Sequence, residues 1–153
     1  MDRDLRDKLE GGEFKHVAAV DSKRMSAVRG KGNKTTERRF RSLLVRAGIR
    51  GWLLNPKKLI GNPDVVFPVG RVAVFLDGCF WHGCPTCGHV PSKNGAFWRA
   101  KIARNQERDI RKSDALVAAG YRVVRFWEHE LQSSGAECIS RLRTALLPQE
   151  ARL

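Results

Sequence analysis

Apolar residues recur with helical spacing in three segments of the chain. The first set follows an i, i+3, i+4, i+7 pattern: Phe40, Leu43, Leu44 and Ala47. This spacing predicts a helix that Thr35 can cap and that ends before Gly48. A longer helix is predicted from about Ala96 to Ala119, ended by Gly120, and its inner stripe combines apolar and polar residues: Trp98, Ile102, Asn105, Asp109 and Leu116. The last set marks a C-terminal helix: Ile139, Leu142, Ala145 and Leu146.

Short apolar runs between these helices have the length and composition of β-strands. Residues 64–67 and 71–76 are separated by the tight connection Pro68-Val69-Gly70, so they predict a hairpin with Asp64 and Asp77 near corresponding ends. Residues 121–126 predict a third strand. The order strand, strand, helix, strand, with helices at both ends, predicts an α/β layered domain around a small mixed sheet.

Polar residues dominate the first 24 positions, which show no clear period. We expect residues 1–24 to be a flexible extension or a start-site artefact, and residues 25–153 to form one domain. Residues 24–34 combine basic side chains with two glycines. This composition suits an arm that lies along DNA phosphates, although a solvated basic tail has the same composition.

The charge balance narrows the class of partner. The chain has 29 Lys and Arg against 16 Asp and Glu, a formal net charge of +13, and a pI near 10.4, which favours nucleic acid. No stretch approaches the roughly 18 consecutive apolar residues of a membrane span, so we expect no membrane contact. Three of the four cysteines lie within residues 79–87. This crowding suits an ion better than disulfides and indicates a reducing, cytoplasmic setting.

Cys79, Cys84 and Cys87 can occupy three corners of a tetrahedral zinc site. His89, His129 and Cys138 are the candidates for the fourth corner. His89 is so close to Cys87 that chelation would strain the loop, and Cys138 fits the apolar stripe of the last helix. We therefore favour His129, just beyond the third strand, and a structural role for the metal. Reduced thiols in an ordinary core are the alternative.

A second group combines carboxylates with a histidine: Glu37, Asp64, Asp77 and His82. Phosphodiester hydrolysis needs a divalent cation, and Mg²⁺ prefers carboxylate and carbonyl oxygens. It also needs a base, which a histidine can supply near neutral pH. Each residue also has an ordinary structural explanation: Asp64 as a turn residue, Asp77 as a strand terminator and Glu37 as a first-turn acid.

Phe80 and Trp81 are adjacent large aromatic residues between Gly78 and Gly83. Adjacent residues in extended chain point to opposite faces, so at least one of these rings is expected to be exposed. An exposed, rigid ring can wedge into a weakly stacked base step. Packing of both rings in the core is the alternative.

Several motifs together point to a known family. They are Met25 through Lys31, Thr36-Glu37, Gly61 through Asp64, Val74 through Pro85, Phe97-Trp98, Asn105, Arg108-Asp109 and Trp127-Glu128. With these motifs the segment from residue 25 to residue 130 resembles the very short patch repair endonucleases, bacterial enzymes that nick DNA at T·G mismatches. The string DGCFWHGCP is the most specific match. The resemblance implies a restriction-endonuclease-like three-layer domain with a central mixed sheet, flanking helices and a structural zinc site.

The resemblance also implies a role for each residue of the catalytic group. Asp64, with the backbone carbonyl near Leu76, would bind the catalytic Mg²⁺. Glu37 would organise water at the metal, and His82 would be the general base or a proton relay. Some family members have His where this chain has Asp77, so Asp77 is expected to touch the metal either directly or through water.

DNA and zinc contacts follow from the same resemblance. Phe80, Trp81 and Met25 would form an intercalating wedge beside the T·G pair. Arg29 and Lys31 are expected to contact DNA as part of the basic run of residues 24–34. The zinc ligands would be Cys79, Cys84, Cys87 and His129. Cys79 stands where the wider restriction-endonuclease pattern has the Lys of an acid-x-Lys motif. His82 is therefore expected to replace that lysine.

We therefore expect a Mg²⁺-dependent endonuclease that nicks one strand at T·G mismatches left by deamination of 5-methylcytosine. It would act on double-stranded DNA as a monomer, with downstream repair proteins as further partners. One alternative is a related nuclease that cuts DNA in restriction or defence without a mismatch. The other is a non-catalytic zinc-bearing DNA-binding module. Binding alone needs no carboxylates facing phosphate, so Asp64, Glu37 and His82 together favour an enzyme.

Overall fold

A computed structural model describes residues 34–148, which fold around a mixed sheet of four strands. The strands, in their order across the sheet, are β1 (Leu53–Leu54), β2 (Val65–Phe67), β3 (Val72–Asp77) and β4 (Arg122–Trp127). β2 is antiparallel to both of its neighbours, and β3 is parallel to β4. The helices of this part of the chain are α1 (34–46), α2 (Gly95–Ala118), α3 (Glu128–Ser133) and α4 (Gly135–Leu146). The predicted mixed sheet with flanking helices is confirmed.

Successive side chains of β3 point to opposite faces of the sheet, so the core has two layers. One face of the sheet packs on α1 and α4 through a cluster that includes Val72, Val74, Phe40 and Leu142. The other face packs on α2 through Ala73, Phe75 and Leu116. Asp77 ends β3 in the same phase as Ala73 and Phe75, so its side chain lies on the α2 side of the sheet.

The three predicted strands each begin one residue later than the pattern predicts, and local backbone conformation explains the shift of β3 and β4. Arg71 adopts φ 51 within the hairpin connection, so β3 begins at Val72. Gly120 adopts φ 89 after α2, and the N–H of Tyr121 donates to the Leu116 carbonyl (2.9 Å) to close the helix end. The N–H of Tyr121 is therefore used by the helix end, and β4 begins at Arg122.

The parallel register of β3 and β4 brings the distant parts of the candidate site together. Asp77 pairs with Trp127, so the residues just beyond each strand, Cys79 and His129, meet at the same edge. Although α2 is 24 residues long, no helix among residues 34–148 is long and apolar enough to cross a membrane. The predicted domain boundary between residues 24 and 25 lies outside the described residues.

Candidate active site and metal centre

Asp64 is fixed at the start of β2 by contacts on both sides. Its carbonyl accepts the Asn55 N–H at 2.8 Å, and its Oδ2 accepts the Leu76 N–H at 2.7 Å. The pKa of Asp64 is raised to about 6. Burial is the main cause and the charges of Asp77 and Glu37 contribute, while the hydrogen bond from Leu76 lowers the pKa. A rigid carboxylate that is costly to ionise near neutral pH suits a divalent cation, which supplies the missing positive charge.

Asn55 links Asp64 to Glu37. Its side-chain Nδ2 donates to Glu37 Oε2 at 3.3 Å, while its backbone N–H donates to Asp64. Asn55 adopts φ 45, a left-handed conformation that asparagine tolerates better than most residues. The sequence assigns no role to Asn55, and its only signal is the Asn-Pro turn that it forms with Pro56. The structure thus brings Glu37 of α1 to the edge of the sheet where Asp64 lies.

His82 lies between two carboxylates. Its Nδ1 is 2.5 Å from Asp109 Oδ2 and 3.8 Å from Asp77 Oδ1. Because an ionised carboxylate only accepts hydrogen bonds, Nδ1 carries the proton and Nε2 is left to accept one. A cavity of about 570 Å³ beside these three residues gives water access to the histidine. In the sequence, Asp109 appears as a polar residue in the apolar stripe of a helix and within the Arg108-Asp109 motif of the resemblance, but neither signal predicts it as a site residue.

Arg125 of β4 engages the other side of Asp77. Its Nη1 donates to both carboxylate oxygens of Asp77, at 2.9 and 3.1 Å, and its Nη2 donates to the Asp109 carbonyl at 3.0 Å. Asp77 is only 5% exposed. Burial raises the pKa of Asp77, whereas His82 and Arg125 lower it. Oxygen and nitrogen atoms of Asp77, His82 and Asp109 are close enough to share a cation. The Arg125 guanidinium already provides a positive charge beside Asp77.

Helix α2 holds the loop that carries Trp81 and His82. Asn105 Nδ2 donates to the Trp81 carbonyl at 2.8 Å, and Gln106 Nε2 donates to the His82 carbonyl at 3.2 Å. Gly83 follows with φ 66, and a Cβ there would lie 2.5 Å from Gln106 Nε2. The position of this loop therefore depends on glycine at residue 83 and on the polar residues of α2.

Phe80 and Trp81 belong to an aromatic cluster with Trp98 of α2. Their ring centroids are 5.2 Å apart in an edge-to-face arrangement. They lie 5.6 and 6.0 Å, respectively, from the ring of Trp98. Trp98 is buried, whereas Phe80 and Trp81 are only half-buried. Packing thus holds both rings rigid while part of each remains open to solvent, as a wedge requires.

Cys79, Cys84, Cys87 and His129 converge on one point. The three sulfur atoms lie 3.3, 3.5 and 3.4 Å from His129 Nδ1, and the Sγ atoms of Cys84 and Cys87 are 3.7 Å apart. Tetrahedral zinc separates sulfur from nitrogen ligands by about 3.6 Å and two sulfur ligands by about 3.8 Å. The donor set and its spacing therefore fit zinc. Cys138, an alternative fourth ligand, lies in the core and is 1% exposed.

The pKa values of the thiols in this cluster explain why a cation would stabilise it. Burial opposes ionisation of Cys84, but backbone N–H groups of Cys87 and Thr86 lower its pKa to about 7. Burial and the neighbouring thiols Cys87 and Cys84 together raise the pKa of Cys79 to about 12. A bound dication would stabilise all of the thiolates at once, because it offsets their mutual repulsion.

The three predicted DNA contacts in the N-terminal segment, Met25, Arg29 and Lys31, lie outside the described residues, so their positions stay predictions.

Comparison with known proteins identifies the family. The family model of DNA mismatch endonuclease Vsr matches residues 15–87. The type II nicking enzyme V.NaeI of Lentzea aerocolonigenes is 43% identical over 126 residues, which cover 79% of this chain and 75% of the relative. The type II nicking enzyme V.XorIIP of Xanthomonas oryzae pv. oryzae is 44% identical over 126 residues, or 81% and 90% of the two chains.

A third relative bears the family's own name. The DNA mismatch endonuclease Vsr of Escherichia coli is 36% identical over 119 residues, which cover 76% of this chain and 74% of the relative. The family implies a restriction-endonuclease-like fold, with which the layered sheet agrees. The chain therefore belongs to the Vsr family of DNA mismatch endonucleases and is an enzyme that cleaves DNA.

Proposed function

We propose that this enzyme nicks one strand of duplex DNA at T·G mismatches left by deamination of 5-methylcytosine, in a Mg²⁺-dependent reaction. The supporting observation is that Phe80, Trp81 and His82 are consecutive residues of one loop, which α2 holds by hydrogen bonds. A mismatched step opens more easily than a paired one. Ring insertion at the mismatch would therefore set the position of the phosphate that lies next to His82.

Asp64 and the backbone carbonyl of Leu76 are the groups that we assign to Mg²⁺. Bound there, Mg²⁺ would offset the negative charge of the phosphate and make water easier to deprotonate. Burial is the main reason that the pKa of Asp64 is raised to about 6, and a bound dication would favour the ionised carboxylate. Glu37, joined to Asp64 through Asn55, orients water on the side of α1.

His82 accepts the proton of the attacking water at Nε2. Its Nδ1–H donates to Asp109, which fixes the ring orientation and stabilises the imidazolium that forms. Arg125 holds Asp77 beside the same ring, at the end of β3. This arrangement replaces the lysine of the wider restriction-endonuclease pattern with a histidine that a carboxylate positions.

A structural zinc ion would hold the base of the wedge loop. Four protein ligands leave no open coordination position, so the metal would not take part in hydrolysis. Cys79 directly precedes Phe80. The zinc site would therefore pin one end of the segment that inserts into DNA, while α2 holds the other end.

The test is nicking of duplexes that carry a different label on each strand, with a T·G pair or a T·A pair at one position. We expect a single labelled product from the T·G duplex, only when Mg²⁺ is present. Nicking of both duplexes at equal rates would support the second candidate below. With the bases that flank the pair randomised, absence of product from both duplexes would reject both candidate functions.

The second candidate is a nicking enzyme that recognises a sequence without a mismatch. It is favoured by the names of two relatives, type II nicking enzymes at 43% and 44% identity, against 36% for the mismatch endonuclease. The monomeric state, the downstream repair partners and the cytoplasmic setting stay predictions. Sedimentation of the enzyme with and without duplex DNA tests the first of these.

A further inference from the structure

A basic groove lies between α1 and the junction of α3 with α4. Its volume is about 460 Å³, and the side chains that matter are Arg38, Arg39 and Arg46, with Thr35, Ser42 and Gln132 between them. From residue 35 to residue 46 an α-helix rises about 16 Å, so the groove extends along most of α1. Phe80, Trp81 and the catalytic group of Glu37, Asp64, Asp77 and His82 do not line this groove.

No acidic side chain pairs with the arginines of this groove within residues 34–148, and the same holds for Arg71 and Arg122. Within residues 34–148, Arg38, Arg39 and Arg46 form no ion pair and no side-chain hydrogen bond. By contrast, several arginines of α2, β4 and α4 each pair with a carboxylate: Arg104 and Arg111 with Glu107, Arg125 with Asp77, and Arg141 with Glu130. Like charges that share a groove repel one another, so an anionic partner would relieve a cost that the free protein carries.

Both walls of the groove adjoin residues of the candidate site along the chain. Arg38 directly follows Glu37, whose carboxylate is joined to Asp64 through Asn55. On the opposite wall, Gln132 lies in α3, which begins one residue after the end of β4. The groove therefore starts near the end of the sheet where Asp77 lies opposite Trp127.

We propose that this groove binds the phosphate backbone of duplex DNA on one flank of the cleavage site. The proposal rests on the DNA-cleaving activity and not on the mismatch preference. Guanidinium groups bind phosphate in a bidentate manner, and hydroxyl and amide groups such as those of Ser42 and Gln132 commonly add to such contacts. At 3.4 Å per base pair, a groove of about 16 Å would follow about five base pairs beyond the cut.

The first test compares two variants of equal charge. Arg38→Gln/Arg39→Gln/Arg46→Gln removes the groove arginines. The control, Arg71→Gln/Arg111→Gln/Arg122→Gln, removes three positive charges elsewhere: Arg71 and Arg122 line a separate groove, and the side chain of Arg111 is 63% exposed on α2. Affinity for a long, fully paired duplex is measured over a range of salt concentrations without added Mg²⁺.

We expect the groove variant to bind the duplex at least about tenfold more weakly. The magnitude of its slope of log affinity against log salt concentration should decrease by about 2 to 3, because up to three phosphate contacts are lost. The control should keep the wild-type slope. Equal losses in both variants, or an unchanged slope in the groove variant, would overturn the proposal; the latter result would point to an acidic protein partner instead. This readout needs no mismatch, so it stands even if the T·G preference is absent.

The second test locates the contact. Duplexes nicked by the wild-type enzyme are shortened on one side of the cleavage site or on the other. We expect shortening on one side to weaken wild-type binding and to leave binding by the groove variant unaffected. Equal sensitivity of the two proteins to shortening on either side would contradict the assignment.

Discussion

Arg125 and Asp77 form an ion pair between adjacent parallel strands: Nη1 of Arg125 lies 2.9 and 3.1 Å from the two carboxylate oxygens of Asp77. In the strand register, Arg125 is opposite Phe75, and its guanidinium lies over the Phe75 ring at 4.1 Å. The side chain thus follows β3 toward its end and reaches the carboxylate beside His82. The pair fixes Asp77 in a buried position where an unpaired charge would be costly.

Arg125→Met should therefore destabilise the protein by about 2–4 kcal/mol, because it leaves a buried carboxylate without its cation. Denaturant unfolding measures this change. The double variant Asp77→Asn/Arg125→Met should regain at least half of the loss, since no charge is then left unpaired. A double variant as unstable as the sum of the two single variants would show that the pair is not the source of the effect.

Asp64→Asn should abolish nicking and leave DNA affinity the same or higher, because the metal ligand and a negative charge near phosphate are both removed. Because the pKa of Asp64 is raised from 3.8 to about 6 in the folded protein, the folded state binds more protons than the unfolded state between these values. Stability of the metal-free wild type should fall as pH rises through this window. The variant should thus be more stable by about 1–3 kcal/mol at pH 7.

The control for Asp64→Asn is Asp114→Asn, at an exposed position of α2. It should keep wild-type nicking and the wild-type dependence of stability on pH. Nicking by Asp64→Asn within about tenfold of wild type, a loss of only about 1.4 kcal/mol of transition-state stabilisation, would reject Asp64 as the metal ligand.

Purified protein should contain one zinc ion per chain by elemental analysis. His129→Ala should lose it, because the four ligand atoms form one closed set, and Cys138→Ser should retain it. Cys84→Ser should unfold or aggregate the protein, since the site contributes to folding. Protein that is folded and free of zinc would reject the zinc site, and zinc loss in Cys138→Ser alone would reject His129 as its ligand.

Trp81→Ala should weaken binding to a T·G duplex by about tenfold, since stacking of one ring on a base contributes roughly 1–3 kcal/mol. Binding to a paired duplex rests on phosphate contacts and should be almost unchanged. Trp52→Ala is the matched control, because Trp52 packs against the core on the other face of the sheet. It should lower thermal stability without changing the T·G preference. The same behaviour in Trp81→Ala would identify Trp81 as a packing residue only.

Much of the fold could be predicted from the sequence because its main elements bury one face with a regular period. The helix near Phe40, the hairpin and the long helix that Gly120 ends all appear within one or two residues of their predicted bounds. β1, with two residues, and α3, with six, were not predicted. Elements this short contain too few residues to show a period, and tertiary packing decides their conformation.

Some residues of the candidate site could also be predicted from the sequence, and others could not. The Cys79, Cys84, Cys87 and His129 cluster could be predicted, because its three thiols are close in sequence and His129 is the candidate left when His89 and Cys138 are set aside. Asn55 and Arg125 were not predicted as site residues. Arg125 lies in an otherwise ordinary strand pattern, and its partner Asp77 is 48 residues away in the chain. Such contacts depend on strand pairing, which a single sequence does not specify.

The nicking rate on a T·G duplex relative to the same duplex with a T·A pair tests the central claim most directly. The measurement is made at saturating enzyme in Mg²⁺, so that it reports hydrolysis and not binding. We expect the T·G duplex to be nicked at least about tenfold faster, a difference of about 1.4 kcal/mol or more in transition-state stabilisation. Equal rates on the two duplexes, or nicking that continues without Mg²⁺, would contradict the account.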